Sequence, residues 1–409
     1  MNFSRALTRA GVTAVLFAAL SAATLAPAPA RGDATPARPA TRPLYVTEAP
    51  IVMLKDADSG AILFSRGADK RFAPASMTKV MTAYVVLDLI AKGELAHDQQ
   101  FTMTEALWKK WNGSTGGSTM FLRAGEKVSV DQLLKGLITV SGNDAAALLA
   151  AGIDGSEQAF VRRMNKVAAE LGMSSSRFGT PNGWPDGGVT KVSAADLITL
   201  ADRLIRDFPA DYDRYFAIPR LQHGKAPDGT PIVQPNRNPI LGRFAGADGL
   251  KTGHTAEAGY CFLGSARRDG RRLIMVVAGM GSEKARRDEA ERLMRWGFEE
   301  WEGRLVAPAG KVVGHLDVNG GTAPMVPVET PLPIRVTVPK GFSGGYRAVM
   351  RGRAPQSAPV GRRVKVADLV VTPTGLPPQI TPLVATSGVE ATDSLWSRSR
   401  TGLYRLTGR

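Results

Sequence analysis

The sequence predicts an α+β domain, in which helices flank a central antiparallel sheet, followed by a small all-β domain. Three patterns indicate this fold. Apolar runs at 51–54 and 61–64 flank a turn signal, a mostly helical block follows, and short β-branched runs among Pro and Gly begin near residue 306. At 409 residues the chain is long enough for two or three hydrophobic cores.

The first domain is expected over residues 45–305 and begins with the 51–64 hairpin. A helix is expected to start near Ser76 and to end at Gly93, because apolar residues recur there at helical spacing. Later elements are expected as helices over 130–137, 144–151, 160–171 and 283–301, and as strands over 259–266 and 273–278 joined by an Asp-Gly turn.

The second domain is expected over residues 306–390. Alternating β-branched residues predict strands over 334–338, 346–350 and 364–371. This part has no candidate nucleophile arrangement, so we expect it to serve as a stalk or a partner-binding surface. A domain that acts only as a spacer is the alternative.

Both chain ends carry targeting signals. Arg5 and Arg9 precede an apolar run at 10–25, which predicts a signal peptide over residues 1–30, and 31–44 read as a flexible lead. In the basic tail at 391–409, apolar residues within 394–409 can share one helix face among arginines, as in a peripheral membrane anchor. A frayed basic terminus is the alternative. We therefore expect an exported protein in the periplasm or at the outer face of the cytoplasmic membrane.

Charge and cysteine content narrow the classes of function. The net charge of +15 fits attraction to anionic wall polymers or lipids, and the expected compartment excludes nucleic acid. Cys261 is the single cysteine, so no intramolecular disulfide can form, and its apolar neighbours predict burial. The four histidines lie far apart without ligand spacing, so neither a metal nor a cofactor is expected.

Three short motifs carry the chemistry. They are Ser-x-x-Lys at Ser76 and Lys79, Ser-Gly-Asn at Ser141 and Asn143, and Lys251-Thr252-Gly253. Residues three apart share a helix face, so Lys79 can reach the Ser76 hydroxyl, whose backbone N–H at the helix start is free for an oxyanion. Burial beside a second cation, for which Lys251 is the candidate, would keep the Lys79 amine neutral. The motifs together predict serine acyl transfer.

The chain resembles the D-alanyl-D-alanine carboxypeptidases of the low-molecular-mass penicillin-binding protein family. The resemblance spans roughly residues 45–390 and rests on segments 74–79, 137–146, 236–239, 248–255 and 258–261. It implies a penicillin-binding or β-lactamase-like catalytic domain and an accessory β-sandwich. The implied activity is removal of the last D-alanine from peptidoglycan pentapeptides, with β-lactams as covalent inhibitors.

The resemblance also implies residue roles. Ser76 would be the nucleophile, Lys79 its base, Ser141 a proton relay and Asn143 a positioning group, while Lys251 would hold the charge of the network. The backbone N–H groups of Ser76 and His254 would form the oxyanion hole. Thr252 and an arginine, Arg286 in preference to Arg287, would bind the free terminal carboxylate.

Two positions near the motifs carry more specific expectations. A side chain at Gly253 would obstruct pairing of the substrate along the strand edge. Many relatives carry histidine where this chain has Asn182, which we expect at the rim of the site without effect on the catalytic core.

Other activities stay open as alternatives. A DD-endopeptidase acting on cross-links, or a catalytically slow wall-organising protein, would share the same motifs. A class A β-lactamase is disfavoured, because such enzymes use a glutamate between the second and third motifs. This chain has no glutamate between Glu170 and Glu257.

Overall fold

The computed structural model describes residues 41–112 and 117–393. The signal peptide predicted over 1–30 and the anchor predicted over 394–409 therefore lie outside the described residues. Within the described ranges, no helix combines the length and the apolar character needed to cross a lipid bilayer.

Seventeen strands occur in the described ranges. In chain order they are β1 Ile51–Asp56, β2 Ile62–Arg66, β3 Gln100–Thr102, β4 Lys127–Ser129, β5 Arg220–Lys225, β6 Pro231–Pro235, β7 Ala247–Thr255, β8 Gly259–Arg268, β9 Arg271–Met280, β10 Trp301–Ala307, β11 Val312–Asn319, β12 Met325–Glu329, β13 Ile334–Pro339, β14 Tyr346–Arg351, β15 Gln356–Ser357, β16 Lys365–Pro373 and β17 Gln379–Ala385.

A 3₁₀ helix at Ala75–Thr78 and eight α-helices complete the described elements. The α-helices are α1 Lys79–Ala91, α2 Glu105–Trp111, α3 Val130–Thr139, α4 Asn143–Asp154, α5 Glu157–Glu170, α6 Ala194–Asp207, α7 Pro209–Tyr215 and α8 Glu283–Glu299.

The central sheet has five antiparallel strands in the order β2-β1-β9-β8-β7. The α+β prediction is confirmed, and the strand that carries Lys251 is an edge strand, as expected. The turn between β8 and β9 has positive φ at both Asp269 and Gly270, which is the geometry that an Asp-Gly hairpin favours.

Serine caps define where several helices begin. The side chains of Ser129, Ser156, Ser193 and Ser282 each accept a hydrogen bond from the backbone N–H three residues later. The closing helix α8 ends at Glu299 rather than at residue 301. Trp301 instead begins β10, where its backbone is opposite Pro339 of β13.

Two hydrophobic clusters cover the two faces of the central sheet. Alternate residues of β9 divide between them, since Ile274 and Val276 face the helical block whereas Met275 and Val277 face α8. The second cluster continues without interruption into the all-β region, where it includes Val336. One apolar core is therefore shared between α8, the rear of the sheet and the C-terminal strands.

The all-β region contains the pair β10–β13 and a six-stranded sheet in the order β14-β16-β17-β12-β11-β15. The side chain of Met350 in β14 lies against Gly314 in β11, so the larger sheet curves back on itself. The strands expected over 334–338, 346–350 and 364–371 are all present. Strand β10 runs through the proposed domain boundary between residues 305 and 306, so the secondary structure does not mark this boundary.

A buried carboxylate joins the two parts. Asp56, at the end of β1, accepts hydrogen bonds from Arg271 Nε at 2.7 Å and from Thr337 Oγ1 at 2.8 Å. Its other oxygen accepts from the backbone N–H groups of Asp58 and Ser59. A carboxylate with all these donors ties the hairpin turn to both β9 and β13.

Candidate active site

Ser76 lies in the short 3₁₀ helix that leads into α1. Lys79 is the first residue of α1, and its Nζ lies 2.9 Å from Ser76 Oγ. The spacing of three residues therefore produces the predicted contact, although the first turn is 3₁₀ rather than α. As one of the first residues of this helix, Ser76 has a backbone N–H without an intrahelical acceptor.

Lys79 is completely buried, and its amine also donates to the backbone oxygen of Asn182 at 2.7 Å. Burial lowers the pKa of Lys79 well below its usual value, and the positive charge of Arg237 lowers it further. The nearby carboxylate of Asp144 acts in the opposite direction. Arg237 is thus a second cation beside Lys79, in addition to Lys251, whose own pKa is lowered by the charge of Lys79.

Asn182 does not lie at the rim of the site. Its side chain is fully buried, and its carbonyl oxygen is a direct partner of Lys79. The loop is pressed onto the nucleophile turn so closely that a Cβ at Gly183 would overlap the backbone of Ala75. The expected rim position of Asn182 was therefore wrong, while the contact with Lys79 is made by the backbone and does not depend on asparagine instead of histidine at this position.

The Ser-Gly-Asn motif immediately precedes and begins α4. Ser141 is buried with φ of +63°, and within the described part of the chain its Oγ has no hydrogen-bond partner. The backbone N–H of Asn143 donates to Ser118 at 2.7 Å. An unpartnered buried hydroxyl is costly, so Ser141 is suited to a group that arrives with substrate.

Asp144 fixes the loop opposite this motif. Its carboxylate accepts from Thr119 Oγ1 at 2.5 Å and from the backbone N–H groups of Met120 and Leu122 at 3.1 Å each. The loop that carries Ser118 is thereby held against the start of α4, which limits the movement of that wall of the site.

One face of strand β7 packs against the nucleophile turn. A Cβ at Gly253 would lie inside 3.0 Å of the carbonyl oxygen of Pro74, so only glycine allows this approach. The structure thus gives a different reason for this glycine than the expected one. A side chain at this position would point at the nucleophile turn and not along the open edge of the strand. Alternate residues of a strand share a face, so Lys251 is directed to the same side.

Lys251 is buried beneath the site, and its amine donates to the carbonyl oxygen of Thr252 at 3.0 Å. Burial lowers the pKa of Lys251 well below its usual value. The charges of Lys79, Arg237 and Arg286 lower it further. Burial and the positive charges around Lys79 and Lys251 therefore disfavour the protonated forms of both amines.

Arg286 reaches the site from α8. The imidazole of His254 stacks on the ring of Tyr260 at a centroid distance of 3.9 Å, and the Arg286 guanidinium lies 5.7 Å from the same ring. Arg286 donates to Glu283 at 3.1 Å, whose side chain is 73% exposed, while its Nε has no partner within the described residues. A ligand carboxylate can therefore replace Glu283.

A cavity of about 600 Å³ connects these groups. Among the residues that line it are Ser76, Ser141, Thr252, Gly253, His254 and Arg286. Lys79 and Lys251 are buried, and so is Asn143. The sequence reasoning left out Arg237, which lines the same cavity and donates to Ser118 Oγ at 2.5 Å. In the sequence, Arg237 was indicated only by its place in segment 236–239, which is one of the segments that carry the family resemblance.

The predicted packing of Cys261 is confirmed, since its side chain is fully buried. Its Sγ lies 3.3 Å from the carbonyl oxygen of Ala258. Burial raises the pKa of this thiol to about 11, so the reactive thiolate is disfavoured.

A hydroxyl hydrogen-bonded to a buried amine, at the mouth of a cationic cavity beside a sheet edge, defines a serine acyl-transfer enzyme. A family model described as D-alanyl-D-alanine carboxypeptidase matches residues 38–282. The D-alanyl-D-alanine carboxypeptidase DacF of Bacillus subtilis is 30% identical over 334 residues, which are 80% of this chain and 82% of that protein. The chain belongs to the D-alanyl-D-alanine carboxypeptidase family and is a serine hydrolase.

Solved structures show the same relationship. Penicillin binding protein 5 from Haemophilus influenzae matches with a TM-score of 0.70 at 33% identity, over 86% of this chain and 99% of that one. Penicillin-Binding Protein D2 from Listeria monocytogenes, in an ampicillin-bound form, matches with a TM-score of 0.54 at 31% identity. That match covers 63% of this chain and all of the Listeria chain.

Proposed function

We propose that this protein removes the terminal D-alanine from peptidoglycan pentapeptides through an acyl-enzyme on Ser76. The observation that carries the proposal is the 2.9 Å hydrogen bond between Lys79 Nζ and Ser76 Oγ. Because burial and Arg237 lower the pKa of Lys79, its amine can be neutral and accept the serine proton.

In the first step, the Ser76 oxygen attacks the carbonyl carbon between the two D-alanines while Lys79 takes the hydroxyl proton. The carbonyl electron pair moves to oxygen, where the backbone N–H groups of Ser76 and His254 donate to the negative charge. The C–N bond then breaks as the proton passes from Lys79 through the Ser141 hydroxyl to the departing amine. D-Alanine leaves, and an ester remains on Ser76.

In the second step, water attacks the ester carbonyl and Lys79 accepts its proton. Breakage of the ester bond returns the proton to Ser76 and releases the shortened peptide. Asn143, at the start of α4, positions the substrate amide or Lys79. Burial and the neighbouring cations lower the pKa of Lys251, so we propose that Lys251 holds positive charge when the developing anion lies beside it.

The free carboxylate of the substrate would bind to Thr252 and Arg286. Both line the cavity, and Arg286 is held over Tyr260 and forms an ion pair with the exposed Glu283. A planar guanidinium can bind a carboxylate through two parallel hydrogen bonds. This pairing supports a preference for peptides that end in a free carboxyl group.

Residues 45–305 would form the catalytic domain of an exported enzyme, with residues 306–390 as an accessory β domain that serves as a stalk or partner surface. A signal peptide at 1–30 and a basic amphipathic tail at 394–409 would place the enzyme outside the cytoplasmic membrane, in peripheral contact with it. Their sequence patterns support this proposal.

Penicillin would acylate the same serine and remain bound. The two glutamates between the second and third motifs, Glu157 and Glu170, do not line the cavity that contains Ser76, so neither is placed to activate water as the class A β-lactamase glutamate does. The test is Ser76→Ala, which is expected to abolish covalent labelling by fluorescent penicillin without unfolding the protein. Ser118→Ala is the matched control, because Ser118 lines the same cavity and should keep its labelling. Labelled Ser76→Ala protein would reject the nucleophile assignment.

The substrate is tested by measuring D-alanine release from a pentapeptide and cleavage of cross-linked dimers by the same purified enzyme. Faster turnover of the pentapeptide is the expected result. Faster cleavage of the dimers would assign the protein as an endopeptidase, and turnover of neither substrate by labelled enzyme would favour a wall-organising role.

A further inference from the structure

The cavity next to Ser76 carries more positive charge than one terminal carboxylate requires. Four arginines line it, namely Arg237, Arg243, Arg286 and Arg287, whereas Glu283 is the single carboxylate on its wall among residues 41–112 and 117–393. A concave wall with one sign of charge focuses the electric field and attracts ions of opposite charge. The excess charge therefore favours a ligand with more than one anionic group.

Two of these arginines have no part in the reaction proposed above. Arg243 follows the segment 236–239, and Arg287 follows Arg286 on α8. Both line the cavity that also contains Ser76, Thr252 and Arg286. Since Arg286 would hold the carboxylate of the leaving residue, Arg243 and Arg287 are left to interact with the side chain of that residue.

The existing partners of Arg243 and Arg287 can be exchanged for a ligand. Arg243 Nε donates to Glu291 at 3.0 Å with 59% of its side chain exposed. Arg287 contacts its sequence neighbour Asp288 at 3.3 Å with 30% of its side chain exposed. Ion pairs at such exposed positions contribute little free energy, so a substrate carboxylate can compete for both guanidinium groups.

The size of the cavity agrees with a longer leaving residue. Its volume of about 600 Å³ lies in the range typical of sites for whole small molecules, and a methyl side chain fills little of it. Arg243 and Arg287 belong to the lining of this larger cavity. A polar, anionic side chain therefore suits this space better than an aliphatic one.

We propose that Arg243 and Arg287 form a subsite for a leaving D-amino acid whose side chain bears a carboxylate. The inference rests on the proposed function, because it assumes cleavage in front of a D-residue held by Arg286. It extends the substrate class from D-alanine to acidic D-residues as leaving groups.

The experiment measures kcat/KM for three acylated dipeptides that end in D-Ala-D-Ala, D-Ala-D-Glu and D-Ala-D-Gln. Glutamate and glutamine have nearly the same shape, so their ratio isolates the charge of the side chain. We expect the D-Glu peptide to be cleaved about tenfold faster than the D-Gln peptide, since two partly exposed ion pairs act together. Added salt should reduce this ratio.

Variants Arg243→Gln and Arg287→Gln, made singly and together, should bring the ratio of D-Glu to D-Gln stepwise to about one. Arg295→Gln is the control, because Arg295 lies on the same helix, is 60% exposed and is paired with Glu299 outside the cavity. Its ratio should equal that of the unmodified enzyme.

A ratio at or below one in an enzyme that cleaves D-Ala-D-Ala would overturn the subsite and leave the proposed function intact. A high ratio that survives in the double variant would also overturn it. Failure to cleave any of the three peptides would overturn the proposed function and the subsite together.

Discussion

Gly253→Ala tests the contact between the edge strand and the nucleophile turn. The added Cβ would lie 3.2 Å from the Cβ of Ala75, 3.3 Å from the backbone nitrogen of Met77 and closer still to the carbonyl oxygen of Pro74. Ordinary contacts begin at 3.4 Å, and the carbonyl oxygen belongs to the backbone, which cannot rotate away. Strand β7 and the turn must therefore separate by several tenths of an ångström, up to about 1 Å.

A displacement of about 1 Å between reacting groups lowers a rate by roughly 10²-fold. We expect Gly253→Ala to slow acylation by fluorescent penicillin by about this factor, measured as the second-order rate constant of labelling. Gly345→Ala is the control, because a Cβ at Gly345 meets nothing within 4 Å. An acylation rate within twofold of the unmodified enzyme would show that this close approach does not set the geometry of the site.

Three further predictions concern binding, pH and stability. Arg286→Ala should lower kcat/KM for peptides with a free carboxyl end, by a factor equivalent to about 2 kcal/mol or more in activation free energy, and should lower it far less for the corresponding amides. Equal losses for both kinds of peptide would contradict the carboxylate role. Arg237→Gln should move the rise of the acylation rate to higher pH, because the lost positive charge no longer lowers the pKa of Lys79, and an unmoved pH profile would argue against this coupling. Asp56→Ala should lower the free energy of unfolding in urea by about 3 kcal/mol by leaving Arg271 buried and unpaired, whereas the exposed Asp213→Ala should change it by less than about 0.5 kcal/mol. A similar loss of stability in both variants would show that the contacts of Asp56 with Arg271 and Thr337 have no special importance.

Features of this chain that depend on neighbouring residues could be predicted from the sequence. The positive φ of Gly93 ends the turn after α1, and Asp269 and Gly270 join two strands at their expected place. Ser76 and Lys79 meet because their spacing is that of one helical turn. In each case the residues that determine the geometry lie within four positions of one another.

Features that depend on tertiary contacts could not be predicted. Asn182 lies 103 residues from Lys79, and no local pattern shows that its carbonyl oxygen reaches the amine. Arg237 lowers the pKa of Lys79 through space, which sequence spacing does not reveal. Neither Gly nor Pro stands between Glu299 and Trp301 to mark the end of the helix, but pairing with β13 and packing on Trp296 place Trp301 in a strand.

The apolar core shared by the central sheet and the C-terminal strands constrains how the two parts can evolve. Leu54 and Met275 of the catalytic sheet belong to the same cluster as Val336 and Val371 of the C-terminal strands. A chain that ended at α8 would expose part of this apolar surface to solvent and would be prone to self-association. The C-terminal strands can thus diverge in their outward residues during evolution, while their inward residues must change in concert with those of the sheet.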